Sequence, residues 1–382
     1  MALAEPIVEA AGQIAVPETG GTLTIDLAAI EANWRELAHQ ALTVECGAVV
    51  KANAYGMGIE PVTATLAKAG CKTFFVADIA EARRVRSRAP EATIYILNGC
   101  SPENSTAFME INAQPVINSM TELAEWDAFV ATHNWQGGAA LQVDTGMNRL
   151  GISAAEAAAL APRTQTESHG ITLLMSHLAC AEIPDHPLTA AQIKLFREIR
   201  GLYSGIPASL ANSSGIYLGD PALYDLVRPG AALYGVNPTP GRANPMKGVV
   251  ELTGRILQVR NVARDETVGY GATWTAKRAS RIVIVAVGYA DGLLRSASAN
   301  DGRPGGKAVV AGKSCPIAGR ISMDLVCVDV TDLPDGAVRR GDIATFIGSG
   351  LGVDDFAAAA ETIGYELLTR LGMRCHLIYS GG

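Results

Sequence analysis

The chain has 382 residues, of which 48% are hydrophobic and 18% charged, and a net charge of −7. That length holds two domains and a large core, and the composition is globular rather than disordered. A negative chain without a basic run argues against a nucleic-acid partner, and no apolar run is long enough to span a membrane.

Residues 1–21 read as a loosely ordered leader without chemistry of its own. The start lacks the basic-then-apolar order of a secretory signal, and a cytoplasmic setting is expected. Residues 22–27 alternate like a strand, and a helical pattern follows from 29 to about 40. Apolar runs of strand length then recur at 47–51, 74–78, 94–98, 115–118, 139–144, 173–177, 209–212 and 225–228. Helical patterns at 61–68, 80–88, 121–133, 154–161 and 188–203 lie between most of them. In the last, Ile193, Phe196, Ile199 and Leu202 form an apolar stripe. Eight strands alternating with helices predict an α/β fold, a (β/α)8 TIM-type barrel over 22–242. Three prolines and two glycines at 237–248 mark a linker. Beyond it, strand-like runs at 252–262, 281–287, 307–310, 315–317, 325–330 and 343–347 predict a mainly β domain over 243–382, with one helix at 354–371. Seven scattered cysteines without C-x-x-C spacing indicate neither a disulfide framework nor a metal site.

The run Ala48-Val49-Val50 ends in Lys51, followed by Tyr55, Gly56 and Gly58. A lysine at the mouth of a buried strand either snorkels to solvent or is a partly desolvated amine suited to Schiff-base chemistry. Its company decides. In this barrel type chemistry sits at the C-terminal ends of strands. There the sequence places Lys51, Asp144, Arg149, His177, Asn212-Ser213-Ser214 and Arg228. Loops after strands 7 and 8 often bind phosphate. Here they carry Ser213, Ser214, Gly215, Gly230 and Ala231, whose hydroxyls and N–H groups are phosphate donors. A reactive lysine beside a phosphate pocket points to pyridoxal phosphate, with an aldolase-type Schiff-base barrel as the chemical competitor.

Lys51-Ala52-Asn53-Ala54-Tyr55-Gly56, Val143-Asp144-Thr145-Gly146-Met147-Asn148-Arg149-Leu150-Gly151, Ser176-His177-Leu178-Ala179 and Arg228-Pro229-Gly230 stand in that order. Gly269-Tyr270-Gly271, Gly288-Tyr289-Ala290-Asp291-Gly292 and Gly319-Arg320-Ile321-Ser322-Met323-Asp324 follow. Together they resemble the bacterial alanine racemase family, over roughly 22–380. The resemblance implies a pyridoxal-phosphate enzyme interconverting L- and D-alanine, supplying D-alanine for peptidoglycan and working as a homodimer with shared sites. It implies that Lys51 holds the cofactor and acts as one base, with Tyr270 of a second subunit as the other. Tyr55, Ser213, Tyr365 and backbone N–H groups near Gly230 and Ala231 would bind phosphate. His177 would stack on the pyridine ring and Arg228 would face its nitrogen. Arg149 and Met323 would hold the cofactor oxygen and the substrate carboxylate, and Tyr289 would line the entrance.

Competing readings are a decarboxylase, a broad-specificity or serine racemase on the same architecture, and a non-catalytic cofactor-holding protein. Asp144, Asp291 and Asp324 read as turn-forming or capping carboxylates. Gln142 stands where many members of the resembled family carry a carbamylated lysine. Its neutral amide leaves Arg149 short of a negative charge, to be supplied by a small bound anion or by Asp144.

Overall fold

The computed structural model describes residues 18–165 and 170–382, so most of the expected leader lies outside the described residues. The chain divides into two compact units: Leu27–Lys247, and the residues up to Asp26 together with Gly248–Gly382.

In the Leu27–Lys247 unit seven parallel strands pair in sequence order: Ala48–Val49, Thr73–Val76, Thr93–Ile96, Gln114–Ile117, Ala139–Gln142, Ile171–Met175 and Ala208–Ser209. An eighth, Leu226–Val227, pairs in parallel with Glu45–Cys46, which leads through Gly47 into the first strand. On its other side the Asp225 N–H donates to the Ala208 carbonyl and the Arg228 N–H to the Ala211 carbonyl, each at 3.0 Å. The sheet therefore closes on itself and keeps no free edge. Closure buries strand side chains on both faces, which is why runs such as Phe74-Phe75-Val76 show no polar alternation.

Helices Ile59–Ala69, Ile79–Arg88, Ser105–Ile111, Met120–His133, Ala154–Leu160 and Pro187–Leu202 fill the crossovers. Side-chain caps start them where the sequence supplies Asp78, Ser119 and Ser153, each accepting the N–H three residues on. The seven-residue helix at 105–111 was too short to show a period, and sequence reading passes over it. On Pro187–Leu202 the buried stripe is Thr189, Gln192, Phe196 and Ile199. Ile193 and Leu202, expected there, lie off its centre, because a buried polar Gln192 replaces an apolar side chain.

The strand expected at 22–27 at the head of the barrel domain belongs instead to the β unit. Gly21–Asp26 pairs antiparallel with Val250–Val262, Leu23 opposite Leu252, and in parallel with His376–Ser380. Its strict alternation, with Leu23 and Ile25 buried, suits a sheet covered on one face and not a barrel interior. Val250–Val262 is the spine of this unit: Leu252–Arg255 pairs with Ile343–Ile347, and Ile256–Val262, bulged between Ile256 and Gln258, with Ser280–Val285. The single helix expected at 354–371 is two, Val353–Ala359 and Gly364–Arg370. Glu361 adopts φ 57° between them, a left-handed step that no helix continues through. Among the described residues no helix is long and apolar enough to cross a membrane.

A carboxylate is buried in this unit. Asp291 is 3% exposed, and its Oδ2 accepts the Gly288 N–H at 2.8 Å. Arg374 donates to both its oxygens at 2.9 Å and to Asp324 at 2.6 Å. Asp291 accepts the N–H of its own turn, as a turn-forming carboxylate does, whereas Asp324, read as a loop cap, instead pairs with Arg374. Arg374→Ala leaves Asp291 short of two donors, and should destabilise the β unit by about 2 kcal/mol, read as a lower urea midpoint at unchanged slope.

Candidate active site

The C-terminal mouth of the barrel unit is built around an unusual turn. Past Val50 the chain winds through Lys51–Tyr55 with Ala52, Asn53, Ala54 and Tyr55 at φ 53–55°, a left-handed helical turn of four non-glycine residues. L-residues resist this by about 1–2 kcal/mol each, so the surroundings must hold it. Within the turn the Ala54 N–H donates to Val50 and the Gly56 N–H to Ala52, both at 2.8 Å. From outside, Glu81 Oε1 accepts the Asn53 N–H at 3.1 Å. Asn53 Oδ1 accepts the Ile59 N–H at 3.1 Å and Arg84 Nη2 at 2.6 Å, and Arg84 forms a forked pair with Glu60. Gly56 and Gly58, at φ 87° and 90°, carry the chain out into the helix Ile59–Ala69.

That turn carries Lys51 at its start and Tyr55 at its end. The Lys51 ammonium is disfavoured: burial lowers its pKa first, Arg149 adds to the effect, and Glu81 opposes it. Such an amine is easier to free as a nucleophile than a solvated lysine. Tyr55 stacks on Tyr234 with ring centres 4.8 Å apart, and Tyr234 Oη donates to the Val49 carbonyl at 3.1 Å. A Cβ on Gly230 would stand 2.5 Å from Tyr55 Oη, so only glycine admits that hydroxyl to the loop. In the same place Ser213 Oγ accepts the Gly230 N–H at 3.0 Å and the Ala232 N–H at 3.3 Å. Two hydroxyls and backbone N–H groups thus meet in a cradle suited to a phosphate. Ala231 follows in the loop as the first residue of a tight turn, Ala231–Tyr234.

Arg228 lies just past the eighth strand and is 4% exposed. Its guanidinium meets neutral acceptors: Ser209 Oγ, the Ser176 carbonyl at 2.6 Å and the Leu210 carbonyl at 3.4 Å. Burial pushes its pKa down to about 10, and it stays charged at neutral pH. His177, two residues beyond the sixth strand, is pushed down to about 3 by burial and by the charges of Arg228, Arg149 and Lys51. Its imidazole is therefore neutral. Buried Gln192 fixes the loop that carries it, donating to the His177 carbonyl at 2.9 Å and accepting the Ala179 N–H at 2.9 Å. Sequence reading missed Gln192, Ser209 and Glu81. A glutamine at helical spacing from Phe196 and Ile199 was the available sign for the first.

Arg149 sits exposed in the loop after the fifth strand and, among the described residues, has no ion pair. Asp144 does not balance it directly: its Oδ1 accepts the N–H groups of Gly146, Met147 and Asn148 at 2.8–3.2 Å, capping the loop. Gln142 is not idle either, since its amide donates to the Leu150 carbonyl at 3.0 Å.

The β unit carries Tyr270, Tyr289, Met323 and Tyr365, all on its surface, Tyr270 being 71% exposed. The segment 319–323 links three of them. Tyr270 is framed by Gly269 and Gly271, where an added Cβ would stand 3.2 Å from the Arg320 backbone and 2.7 Å from its guanidinium. Tyr289 donates its N–H to Ser322 and Ala290 to Met323, both at 3.0 Å. Tyr365 lies apart, on the helix Gly364–Arg370.

Since His177 is neutral when folded and charged when unfolded below its ordinary pKa, the unfolded chain binds the extra proton between about pH 6.5 and 3. The cofactor-free chain should lose stability as pH falls through that window, and His177→Gln should flatten the dependence. Equal slopes in urea titrations of both proteins would contradict the neutral imidazole.

Comparison with known proteins adds the rest. The family models "Alanine racemase, N-terminal domain" and "Alanine racemase, C-terminal domain" match residues 25–238 and 249–379. An alanine racemase of Methylobacterium sp. (strain 4-46) is 50% identical over 360 residues, covering 94% of this chain and 98% of that protein. A biosynthetic alanine racemase of Agrobacterium fabrum is 44% identical, with 92% of each chain covered. Among solved structures, alanine racemase from Bartonella henselae with covalently bound pyridoxal phosphate has a TM-score of 0.88 at 37% identity, covering 94% of this chain and 99% of that one. With both halves matched in order and half the positions identical to a relative along nearly the whole length, the chain belongs to the alanine racemase family.

Proposed function

We propose that this chain is a pyridoxal-phosphate-dependent isomerase that interconverts L- and D-alanine, a source of D-alanine for peptidoglycan. The observation that carries the reading is the pairing of a destabilised Lys51 ammonium with the Tyr55–Ser213–Gly230 cradle on the same barrel mouth. Family membership supports it, and so does the fit of the donor set to this cofactor. When bound, the cofactor supplies an aldehyde for a lysine amine and a conjugated ring that acidifies the Cα–H bond of an attached amino acid.

The residues divide the remaining work. Lys51 would hold the cofactor and move the Cα proton on one face of the substrate. Tyr55, Ser213 and the backbone N–H groups at Gly230 and Ala231 hold the phosphate, with Tyr365 given the same role by resemblance. Arg228 is donor-only and stays charged, so it has no proton to lend a ring nitrogen at neutral pH and no lone pair to accept one. When the cofactor is bound, that would leave its ring a weaker electron sink and discourage side reactions. His177, neutral, would pack on the ring. Arg149 supplies a fixed positive charge for the substrate carboxylate, and Met323 and Tyr289 keep the substrate-side roles implied by resemblance.

Racemisation needs a second base on the opposite face. We assign it to Tyr270 of a second copy, so that the working form is a homodimer. The exposure of Tyr270, Tyr289 and Met323 in the single chain, three large side chains linked through the segment 319–323, supports this, since exposed apolar groups that neighbour one another suit a partner.

Incubation with each of a panel of L-amino acids, followed by assay of the D-enantiomer, tests the reaction and its preference for alanine. Lys51→Ala should abolish borohydride-fixed cofactor and all turnover; cofactor fixed at full strength in that variant would place the anchor on another lysine. Tyr270→Phe should slow Cα deuterium exchange from L-alanine by about 10²–10⁴-fold and from D-alanine far less. Co-refolded with Lys51→Ala subunits it should regain activity, because one site of each hybrid dimer then holds both bases. Equal losses from both enantiomers, or confirmed hybrids without activity, speak against the two-base, two-chain site.

A further inference from the structure

We propose that Glu81 is a positioning residue of this site: its carboxylate ties the left-handed turn bearing Lys51 and Tyr55 to the neighbouring strand and sets a negative charge near the Lys51 amine. This deepens the reading above and rests on it.

Glu81 is the third residue of the helix Ile79–Arg88, behind its cap Asp78. In the ordinary arrangement such a glutamate folds back on the capping residue, as Glu156 does by accepting the Ser153 N–H at 2.8 Å. Glu81 reaches elsewhere. Its Oε2 accepts the Ala77 N–H at 2.9 Å, at the end of the second strand, and its Oε1 accepts the Asn53 N–H at 3.1 Å in the turn after the first. Two converging donors on one side chain need two oxygens without hydrogens, which only a carboxylate offers. A glutamine would satisfy one and turn its NH2 on the other.

Among the described residues of the barrel the same device recurs at Glu122. Glu122, third in Met120–His133 behind Ser119, accepts the Asn118 and Cys100 N–H groups, both at 2.6 Å. That staple joins strand ends that carry none of the site's residues. It is an internal control, equal in construction and remote in function.

The groups facing Lys51 are Glu81, Arg149 from the loop after the fifth strand, and His177 after the sixth. His177 is neutral and Arg149 is positive, so Glu81 is the anion of the set. Removing it should make the ammonium harder to hold and bring amine reactivity to lower pH.

The test uses the full chain stripped of cofactor. Pyridoxal phosphate is added across a pH range, trapped with borohydride, and label at Lys51 is counted by peptide mapping. For Glu81→Gln the expected result is capture slowed by about tenfold, with a midpoint moved to lower pH. Glu81→Asp, which keeps the charge but shortens the reach, should be slow with the wild-type midpoint. Glu122→Gln should lower the denaturation midpoint and leave both readouts unchanged. Glu81→Gln indistinguishable from Glu122→Gln in rate and midpoint overturns the proposal. If Glu81→Gln does not fold, wild-type capture in Glu81→Asp overturns it instead. A wild-type chain that takes no label at Lys51 overturns the cofactor reading itself, and this inference with it.

Discussion

Four consecutive L-residues held left-handed, at 52–55, are the constraint on which the barrel mouth depends. A right-handed turn would cost nothing locally but would send Lys51 and Tyr55 in other directions. The left-handed one costs several kcal/mol at about 1–2 per residue, and bonds from Glu81, Arg84 and Ile59 hold it in place. Asn53 is central, giving its N–H to Glu81 and receiving Arg84 and the Ile59 N–H on its side-chain oxygen. Strain is stored where the chemistry is, and the surrounding packing makes good the cost.

The second organising feature is electrostatic. Lys51, Arg149 and Arg228 bring positive charge to one mouth, and Arg228 is buried against neutral acceptors rather than a carboxylate. A buried guanidinium without an anion is costly by itself, and the Ser209 hydroxyl with the Ser176 and Leu210 carbonyls offsets that cost. Burial first, and the positive charge of the mouth second, keep His177 neutral and disfavour the Lys51 ammonium.

The acidic side chains are spent on structure. Asp144 caps the loop that carries Arg149, Asp291 and Asp324 bind Arg374, and Glu81 and Glu122 staple adjacent strand ends. Asp144, Asp291, Glu81 and Glu122 each accept two or more N–H groups, and Asp324 accepts one from Arg374.

Much of this was legible in the linear chain. Eight apolar runs alternating with helical patterns specify a barrel because parallel strands are buried on both faces, and the polar residues at their ends stand out for the same reason. Lys51, Arg149, His177, Ser213 and Arg228 were visible as such exceptions, and the ordered motifs carried the family. Other features needed the third dimension. The strand Gly21–Asp26 looked like the head of the barrel by position, and only pairing with Val250–Val262 and His376–Ser380 placed it in the β unit. Backbone handedness at 52–55 leaves no mark in composition, since Ala-Asn-Ala-Tyr is an ordinary string and the bonds that brace it from outside come from Glu81 and Arg84, 28 and 31 positions from Asn53. Glu81 and Glu122 read locally as helix-start glutamates. Their partners Asn53 and Cys100 lie 28 and 22 residues distant, a proximity that barrel closure creates and local sequence does not encode.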